Sequence, residues 1–384
     1  MKVFPQVLTA KLQERNQAGA LRQLGCGTTL VDFSSNDYLG FSASRQIFEG
    51  AHNYLLKNNI THNGATGSRL ISGNHGLYTI TERYLAAFHN VESALIFNSG
   101  YDANVGFFSS VPQKGDIVLY DEYIHASIRD GLRLSNAAAY KFAHNDIEKL
   151  TEAIKRFREK GMEGEIYVVT ESVFSMDGDS PDLIVLTDMC QKYNCLLVVD
   201  EAHALGVFGI KGEGLVQSLQ VQDKVFARIV TFGKGLGCHG AAVLGSCCLK
   251  EYLVNFARSF IYTTGLPPHS LATILTSYNY LEQSHSERNT LKDIISFFKQ
   301  EVKRLELKSF INSTSAIHCA IVPGNENARN ISSVLQQNCF GVKAILSPTV
   351  PLGQERLRFC LHSYTTKEHI TQVLELLAAT LPSS

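Results

Sequence analysis

Leu196-Leu197-Val198-Val199-Asp200-Glu201-Ala202-His203 and, further on, Arg228-Ile229-Val230-Thr231-Phe232-Gly233-Lys234 are the stretches that decide how this chain folds. Each is a short apolar run that breaks off at residues able to do chemistry. Such runs, rich in β-branched side chains, read as buried strands. In an α/β sheet, ligand chemistry gathers at the carboxyl ends of the strands. One strand therefore delivers a carboxylate and an imidazole, and the other a hydroxyl and an amine.

Working outward, the surrounding region alternates strand and helix patterns. Strand candidates fall at residues 94–97, 117–120, 166–170, 196–199, 228–231 and 241–244. Between them, Leu77, Ile80, Tyr84 and Phe88 share a helical spacing, as do Ile147, Leu150, Ile154 and Phe157. That order predicts a mostly parallel sheet covered by helices. Residues 1–45 read as an N-terminal arm with an early helix, a strand-like segment at 29–33 and a turn-rich Ser34-Ser35-Asn36-Asp37-Tyr38-Leu39-Gly40. Residues 46–265 form the large domain. From Leu266-Pro267-Pro268 the character changes. A long helical stretch with Leu291, Ile295, Phe298, Val302 and Leu305 leads to short strands and a last helix with Ile370, Val373, Leu374 and Leu377. Residues 266–384 thus read as a smaller α+β domain.

Composition bounds the function. Hydrophobic residues make up 45% of the 384 and charged residues 18%, which describes a globular protein too long for one small core. A formal net charge of −1 implies no general attraction to nucleic acid or an anionic membrane, and neither is expected as a partner. No run reaches membrane-spanning length. The nine cysteines include no CxxC pair, so reduced thiols and a cytoplasmic setting are expected.

The chemistry-bearing residues suit a carbonyl cofactor. An amine can hold the aldehyde of pyridoxal phosphate as a Schiff base, and a carboxylate can keep its ring nitrogen protonated. Lys234 is flanked by Gly233, Gly235 and Gly237, so the backbone bends closely around something. Taken alone, a lysine after a strand is ordinarily a solvated strand end. Asp200 alone would ordinarily cap the next helix. Against a pyridinium nitrogen about 4 Å away it would gain ~4 kcal/mol, enough to keep that nitrogen protonated. His203 could reach the cofactor's phenolic oxygen or a substrate carbonyl, although a lone histidine is more often structural. Asn98-Ser99-Gly100-Tyr101 sits at a strand-to-helix turn, where backbone N–H groups and the helix dipole favour a phosphate. An ordinary βα turn would look the same. Gly64-Ala65-Thr66-Gly67-Ser68-Arg69 and Ser72-Gly73-Asn74-His75 form a loop that either lines a channel or lies on the surface.

Three other motifs lead nowhere. Asp200-Glu201-Ala202-His203 imitates a helicase motif, but no GxxxxGK[ST] accompanies it. Gly235, Gly237 and Gly240 match GxGxxG, yet a strand pattern follows where a helix is needed. The thirteen histidines include no HExxH and no Cys/His cluster at zinc spacing.

In their order along the chain, Ser34-Ser35-Asn36-Asp37-Tyr38-Leu39-Gly40, Phe174-Ser175-Met176-Asp177-Gly178-Asp179, residues 200–206, residues 231–237, and Thr349-Val350-Pro351 with Arg356-Leu357-Arg358 resemble the α-oxoamine synthases. These are fold-type I pyridoxal-phosphate enzymes related to the aspartate aminotransferases, and the resemblance spans about residues 16 to 380. It implies an α/β, aspartate aminotransferase-like transferase with a large, mostly parallel-sheet domain and a smaller C-terminal domain, working as a homodimer with each site at the subunit interface. Pyridoxal 5'-phosphate would be the cofactor. By resemblance, Lys234 would hold its aldehyde, Asp200 its ring nitrogen, and Ser175 and His203 its phenolic oxygen. His125 would stack on the ring. Gly100, Tyr101 and Thr231 would fix the cofactor in place, with Thr263 or Thr264 reaching the neighbour's phosphate. Arg358 and Asn36 would take the amino-acid carboxylate, and Arg22 and Thr349 the acyl substrate.

Within the family, Phe174–Asp179, Ala202 and Ser72-Gly73-Asn74-His75 are most similar to the members that condense L-alanine with a pimeloyl thioester, of coenzyme A or an acyl-carrier protein, in biotin synthesis. The alternatives are glycine with acetyl-CoA, serine with a long-chain acyl thioester, and a cofactor-free partner subunit. Ser172 stands where relatives usually have glycine and Glu213 where they often have arginine. Neither is expected to touch the chemistry.

Overall fold

The apolar runs of the central region become strands of one sheet. A computed structural model describes residues 4–22, 24 and 29–381. The chain forms β1 (Val31–Asp32), then β2 (Ser93–Phe97), β3 (Ile117–Asp121), β4 (Ala138–Phe142), β5 (Ile166–Glu171), β6 (Leu196–Asp200), β7 (Ala227–Thr231) and β8 (Ala241–Gly245). The C-terminal region adds β9 (Ile317–Ile321), β10 (Phe340–Gly341), β11 (Lys343–Ile345) and β12 (Arg356–Cys360).

The residues fall into two compact units, one of residues 4–35, Met176–Gly178 and 292–381, the other of Asn36–Ser175 and Asp179–Leu291. The larger unit carries a seven-stranded sheet in the order β2-β8-β7-β6-β5-β3-β4. β8 runs antiparallel to β2 and β7, which flank it, and the other pairs are parallel. The sheet is covered on both faces, which is why its strands read as unbroken apolar runs rather than alternating ones. Phe107, Val169, Val198 and Ile229 pack on one face, and Leu150, Ile154, Val168, Leu197 and Val199 on the other. Successive residues of a strand thus feed opposite cores. β4 gave no apolar signal because it is an edge strand with four of its five residues exposed. β3 has β4 on one side and β5 on the other. The strand order reverses there, and the crevice outside the carboxyl ends of such strands is where α/β sheets bind ligands.

The helix Gly76–Phe88 buries Leu77, Tyr78, Leu85 and Phe88, whereas Ile80 is exposed. Tyr84, on the predicted face, is half-buried and sends its hydroxyl to Glu282, 2.8 Å away. The helix Pro268–Gln283 buries Leu271, Ile274, Tyr278 and Leu281, and it counts with the larger unit. The units therefore part between Leu291 and Lys292, well beyond Leu266, where the sequence changes character.

The smaller unit holds a three-stranded antiparallel sheet, β11-β12-β9, and the parallel pair β1-β10. The pairing of Val31 with Phe340 explains why the N-terminal segment belongs with the C-terminal region. The helix Lys367–Thr380 buries the predicted Ile370, Val373, Leu374 and Leu377.

Candidate active site

Where the strands of the larger unit end, polar side chains converge on a cavity of about 210 Å³. Gly100, Tyr101, His125, Asp200, His203, Thr231 and Lys234, all singled out from sequence, line it together. Asn104, Ser127 and Glu171 also line it and were not anticipated.

Ser99 begins the helix Gly100–Ser110, its hydroxyl accepting from the Asp102 N–H at 3.1 Å. The Gly100 and Tyr101 amides head that helix, where N–H groups have no intrahelical carbonyl. A Cβ at Gly100 would meet only Thr231, at an ordinary 3.5 Å, so protein crowding does not demand glycine there. Thr231 donates its hydroxyl to the Gly240 carbonyl at 3.2 Å, and the Tyr101 hydroxyl reaches Asp130 at 2.9 Å.

Asp200 is buried and tethered. Its carboxylate accepts from Asn104 Nδ2 at 2.9 Å and from the Ala202 N–H at 2.9 Å. Asn104 also donates to Ser127 Oγ at 3.0 Å, and Ser127 Oγ lies 2.7 Å from His125 Nδ1. Desolvation lowers the His125 pKa and the Lys234 ammonium adds to that, while Asp200 opposes it. The outcome is a neutral ring. Glu171 pairs in register with Asp200 on the adjacent strand. Burial, reinforced by the Asp200 charge, pushes the Glu171 carboxyl well above the usual range.

His203 Nε2 lies 2.7 Å from Lys234 Nζ, and His203 Nδ1 lies 2.6 Å from the hydroxyl of Tyr38. That hydroxyl is also 3.3 Å from Asn36 Oδ1, which ties Asn36 to the same cluster. The glycines around Lys234 accommodate the protein itself. A Cβ at Gly235 would collide with the Leu205 carbonyl, and one at Gly237 with the backbone of Phe41 and Ser42. Glu201, between Asp200 and His203, serves elsewhere: it is fully buried, 3.4 Å from Arg228, and accepts from the Val216 N–H at 2.9 Å.

Other predicted residues stand outside this cavity. Ser175 is half-buried just beyond β5 and does not line it. Thr263 Oγ1 and the Thr264 carbonyl accept from Asn98 Nδ2 at 2.9 and 2.7 Å. Asn74 accepts from Arg69 Nε at 3.0 Å, and Arg69 is paired with Glu82 at 2.6 Å. Asp179 accepts from His144 Nε2 at 2.9 Å, and Asp121 lies 2.9 Å from the other ring nitrogen. Ser172 sends its backbone N–H to the Asp200 carbonyl at 2.9 Å, and Glu213 accepts from the Lys211 N–H at 2.8 Å.

In the smaller unit, Arg22 and Thr349 meet in a separate cavity of about 260 Å³, which Arg15 and Arg329 also line. Arg358 is buried in β12 with Nη1 2.9 Å from Cys360 Sγ, away from that cavity's lining. Asp177 pairs with Arg356. Gly178, at φ +78°, lies so close to the Ile317 carbonyl that no Cβ fits.

The donor set of the cavity around Lys234 fits pyridoxal phosphate. A tethered carboxylate suits a pyridinium nitrogen, an amine beside an imidazole suits the aldehyde, and a helix N-terminus with a threonine hydroxyl suits the phosphate. Asn104 Oδ1 and Glu171 Oε1 are buried without a hydrogen-bond partner in the protein, as expected where a polar ligand completes the site.

The aminotransferase class I and II family model matches residues 28–377. An 8-amino-7-oxononanoate synthase of Emericella nidulans is 41% identical over 372 residues, covering 91% of this chain and 89% of the relative. Among solved structures, the 8-amino-7-oxononanoate synthase from Francisella tularensis superposes with a TM-score of 0.78 at 31% identity, covering 91% of this chain and 97% of the other. A serine palmitoyltransferase from S. paucimobilis carrying a PLP–myriocin aldimine reaches a TM-score of 0.87 at 26% identity, covering 97% and 96%.

Proposed function

The chain belongs to the aminotransferase class I and II family, and on that premise we propose that it is a pyridoxal-phosphate-dependent C-acyltransferase. It condenses L-alanine with a pimeloyl thioester, of coenzyme A or an acyl-carrier protein, giving 8-amino-7-oxononanoate, carbon dioxide and the free thiol. The observation that carries the chemistry is Lys234 lying 2.7 Å from His203 in a cavity shared with the tethered Asp200. Identity to the Emericella synthase carries the substrates.

When bound, pyridoxal phosphate supplies an aldehyde that captures a primary amine and a ring that accommodates the electron pair left at Cα. Lys234 would hold the aldehyde, and its amine would take the Cα proton of alanine and later return one. Asp200 keeps the ring nitrogen protonated, and Asn104 and the Ala202 N–H fix the direction of its charge. His125 offers a neutral face to the ring. The Gly100 and Tyr101 amides and Thr231 hold the phosphate. His203 and Ser175 address the phenolic oxygen, and His203 steadies the oxyanion formed as the thioester carbonyl is attacked. Arg358 and Asn36 anchor the amino-acid carboxylate, with Arg358 suited to a bidentate pair. Arg22 and Thr349 receive the acyl substrate. The working form is a cytoplasmic homodimer in which Thr263 or Thr264 of a second copy reaches the phosphate. Among the described residues no helix is long and apolar enough to cross a membrane.

The test is a panel of alanine, glycine and serine, each offered with pimeloyl, acetyl and palmitoyl thioesters. Alanine with the pimeloyl donor should turn over fastest. The TM-score of 0.87 with the palmitoyltransferase favours serine with a long acyl chain as the second reading. Preference for that pair would replace the substrates and leave the cofactor chemistry standing.

A further inference from the structure

The turn that carries Tyr38 is clamped against the two segments that carry His203 and Lys234. A Cβ at Gly206, three residues past His203, would come within 3.3 Å of Leu39. Gly237, three residues past Lys234, admits the backbone of Phe41 and Ser42 in the place of a side chain. Tyr38 itself is fully buried and does not line the cavity. It reaches His203 Nδ1 at 2.6 Å, on the opposite edge of the imidazole from Nε2, which lies 2.7 Å from Lys234.

We propose that Tyr38 is a positioning residue for the reaction, its hydroxyl pinning the His203 ring through Nδ1 so that Nε2 faces Lys234. This rests on Lys234 being the amine that handles the Cα proton. A neutral imidazole carries one N–H, and the partner of one nitrogen decides what the other can do. Asn36 Oδ1, 3.3 Å from the Tyr38 hydroxyl, can take the phenolic hydrogen. The phenolic oxygen then accepts the Nδ1–H of His203, so the Nε2 lone pair accepts a hydrogen bond from Lys234 at rest and, once it has taken a proton from that amine, Nε2–H can donate to an oxyanion. Tyr101, Asp200, Glu171 and His125 are the other ionisable groups that line this cavity, and the Nδ1 contact comes from Tyr38 on a separate turn. Removing the hydroxyl frees the ring to change tautomer or to turn over, which would place a carbon where Nε2 stands.

The test uses Tyr38→Phe in the cofactor-loaded protein, alone and combined with His203→Gln. The single variant should bind alanine within about twofold of wild type in a spectral titration while kcat falls about tenfold to a hundredfold, the scale of a misplaced proton-handling group. Its pH–rate profile should shift. In the His203→Gln background the same change should cost nothing further, because Tyr38 acts only through that ring. An equal loss in both backgrounds, or an unchanged kcat and pH profile, overturns the proposal. Nitrogen-15 spectra of the histidine rings supply a readout that needs no activity. Wild-type His203, assigned by its loss in His203→Gln, should carry its proton on Nδ1, and Tyr38→Phe should mix the tautomers. A wild-type ring protonated on Nε2 or averaging between tautomers overturns the proposal even if Tyr38→Phe does not fold. If no amino acid and thioester pair is turned over, the functional reading fails and the ring spectra still decide the role of Tyr38.

Discussion

The cavity around Lys234 and the cavity around Arg22 are similar in size, about 210 and about 260 Å³, yet they are built differently. The first takes its groups from strand ends and the helix that follows β2, and its side chains hold one another: Asn104 holds Asp200, Ser127 holds His125 and Tyr38 holds His203. The second is lined from the helix Gln6–Gln17 and the segment after it, the helix Asn325–Gln337, and β11 with the loop that follows. Arg15, Arg22 and Thr349 are exposed there, and Arg329 is spent on the Gly19 carbonyl. Rigid strand ends deliver the fixed geometry that bond-making needs. Exposed guanidiniums such as those of Arg15 and Arg22 suit the gripping of a remote polar part of a substrate, where small displacements cost little. Function should therefore fail steeply in the first cavity and gently in the second.

Lys234→Ala is the sharpest test of that contrast. It should abolish the borohydride-trappable lysine adduct, and turnover should fall by about 10⁴-fold. Peptide mapping of reduced wild-type protein that finds another lysine labelled would break the assignment. Asp200→Asn keeps the shape and removes the charge. Exchange of the alanine α-proton should slow by about 10²- to 10³-fold, in line with the ~4 kcal/mol of a close ion pair at intermediate dielectric. Near-normal exchange measured by proton NMR would remove Asp200 from its role.

A third test concerns stability in the same unit. Burial alone would lower the His144 pKa, but its hydrogen bonds to Asp121 and Asp179 override this and raise it to about 10. A pKa raised on folding stabilises the charged form. That contribution is complete below the ordinary value of 6.5 and is lost as pH rises through about 10. His144→Gln should cost about 3 kcal/mol in urea unfolding at pH 7. The gap from wild type should close above pH 10, and a gap independent of pH would show that the ring is not ionised. Arg22→Ala should have the smallest effect. It should raise KM for the pimeloyl thioester about tenfold or less, as an exposed pair contributes only about 1 kcal/mol. Steady-state kinetics with α-proton exchange left unchanged would confirm the division of labour between the cavities.

The features most legible in the sequence were those that burial imposes. Buried parallel strands must be apolar and must stop where the sheet stops, so Asp200, Thr231 and Lys234 announced themselves. Glu171 gave the same signal, ending the run of β5, and could have been found that way. Asn104 lies one helical turn beyond Gly100 and faces the same cavity, which its spacing alone could have suggested. Tyr38 could not have been placed beside His203, because that contact joins residues 165 apart through packed glycines. β4 was invisible because an exposed edge strand has no apolar pattern to display. The GxGxxG match was rightly set aside, since β8 begins directly after Gly240.

Asn74 braces Arg69, Asp177 braces Arg356, and Asp179 braces His144, and none of the three lines the cavity. Together with Ala202, which does line the cavity, they are among the residues by which the chain resembles the alanine-using branch of its family. In these three, agreement with that branch supports the framework of the fold rather than the wall of the cavity. A lineage could change its amino acid by altering the cavity wall and still carry every one of these braces.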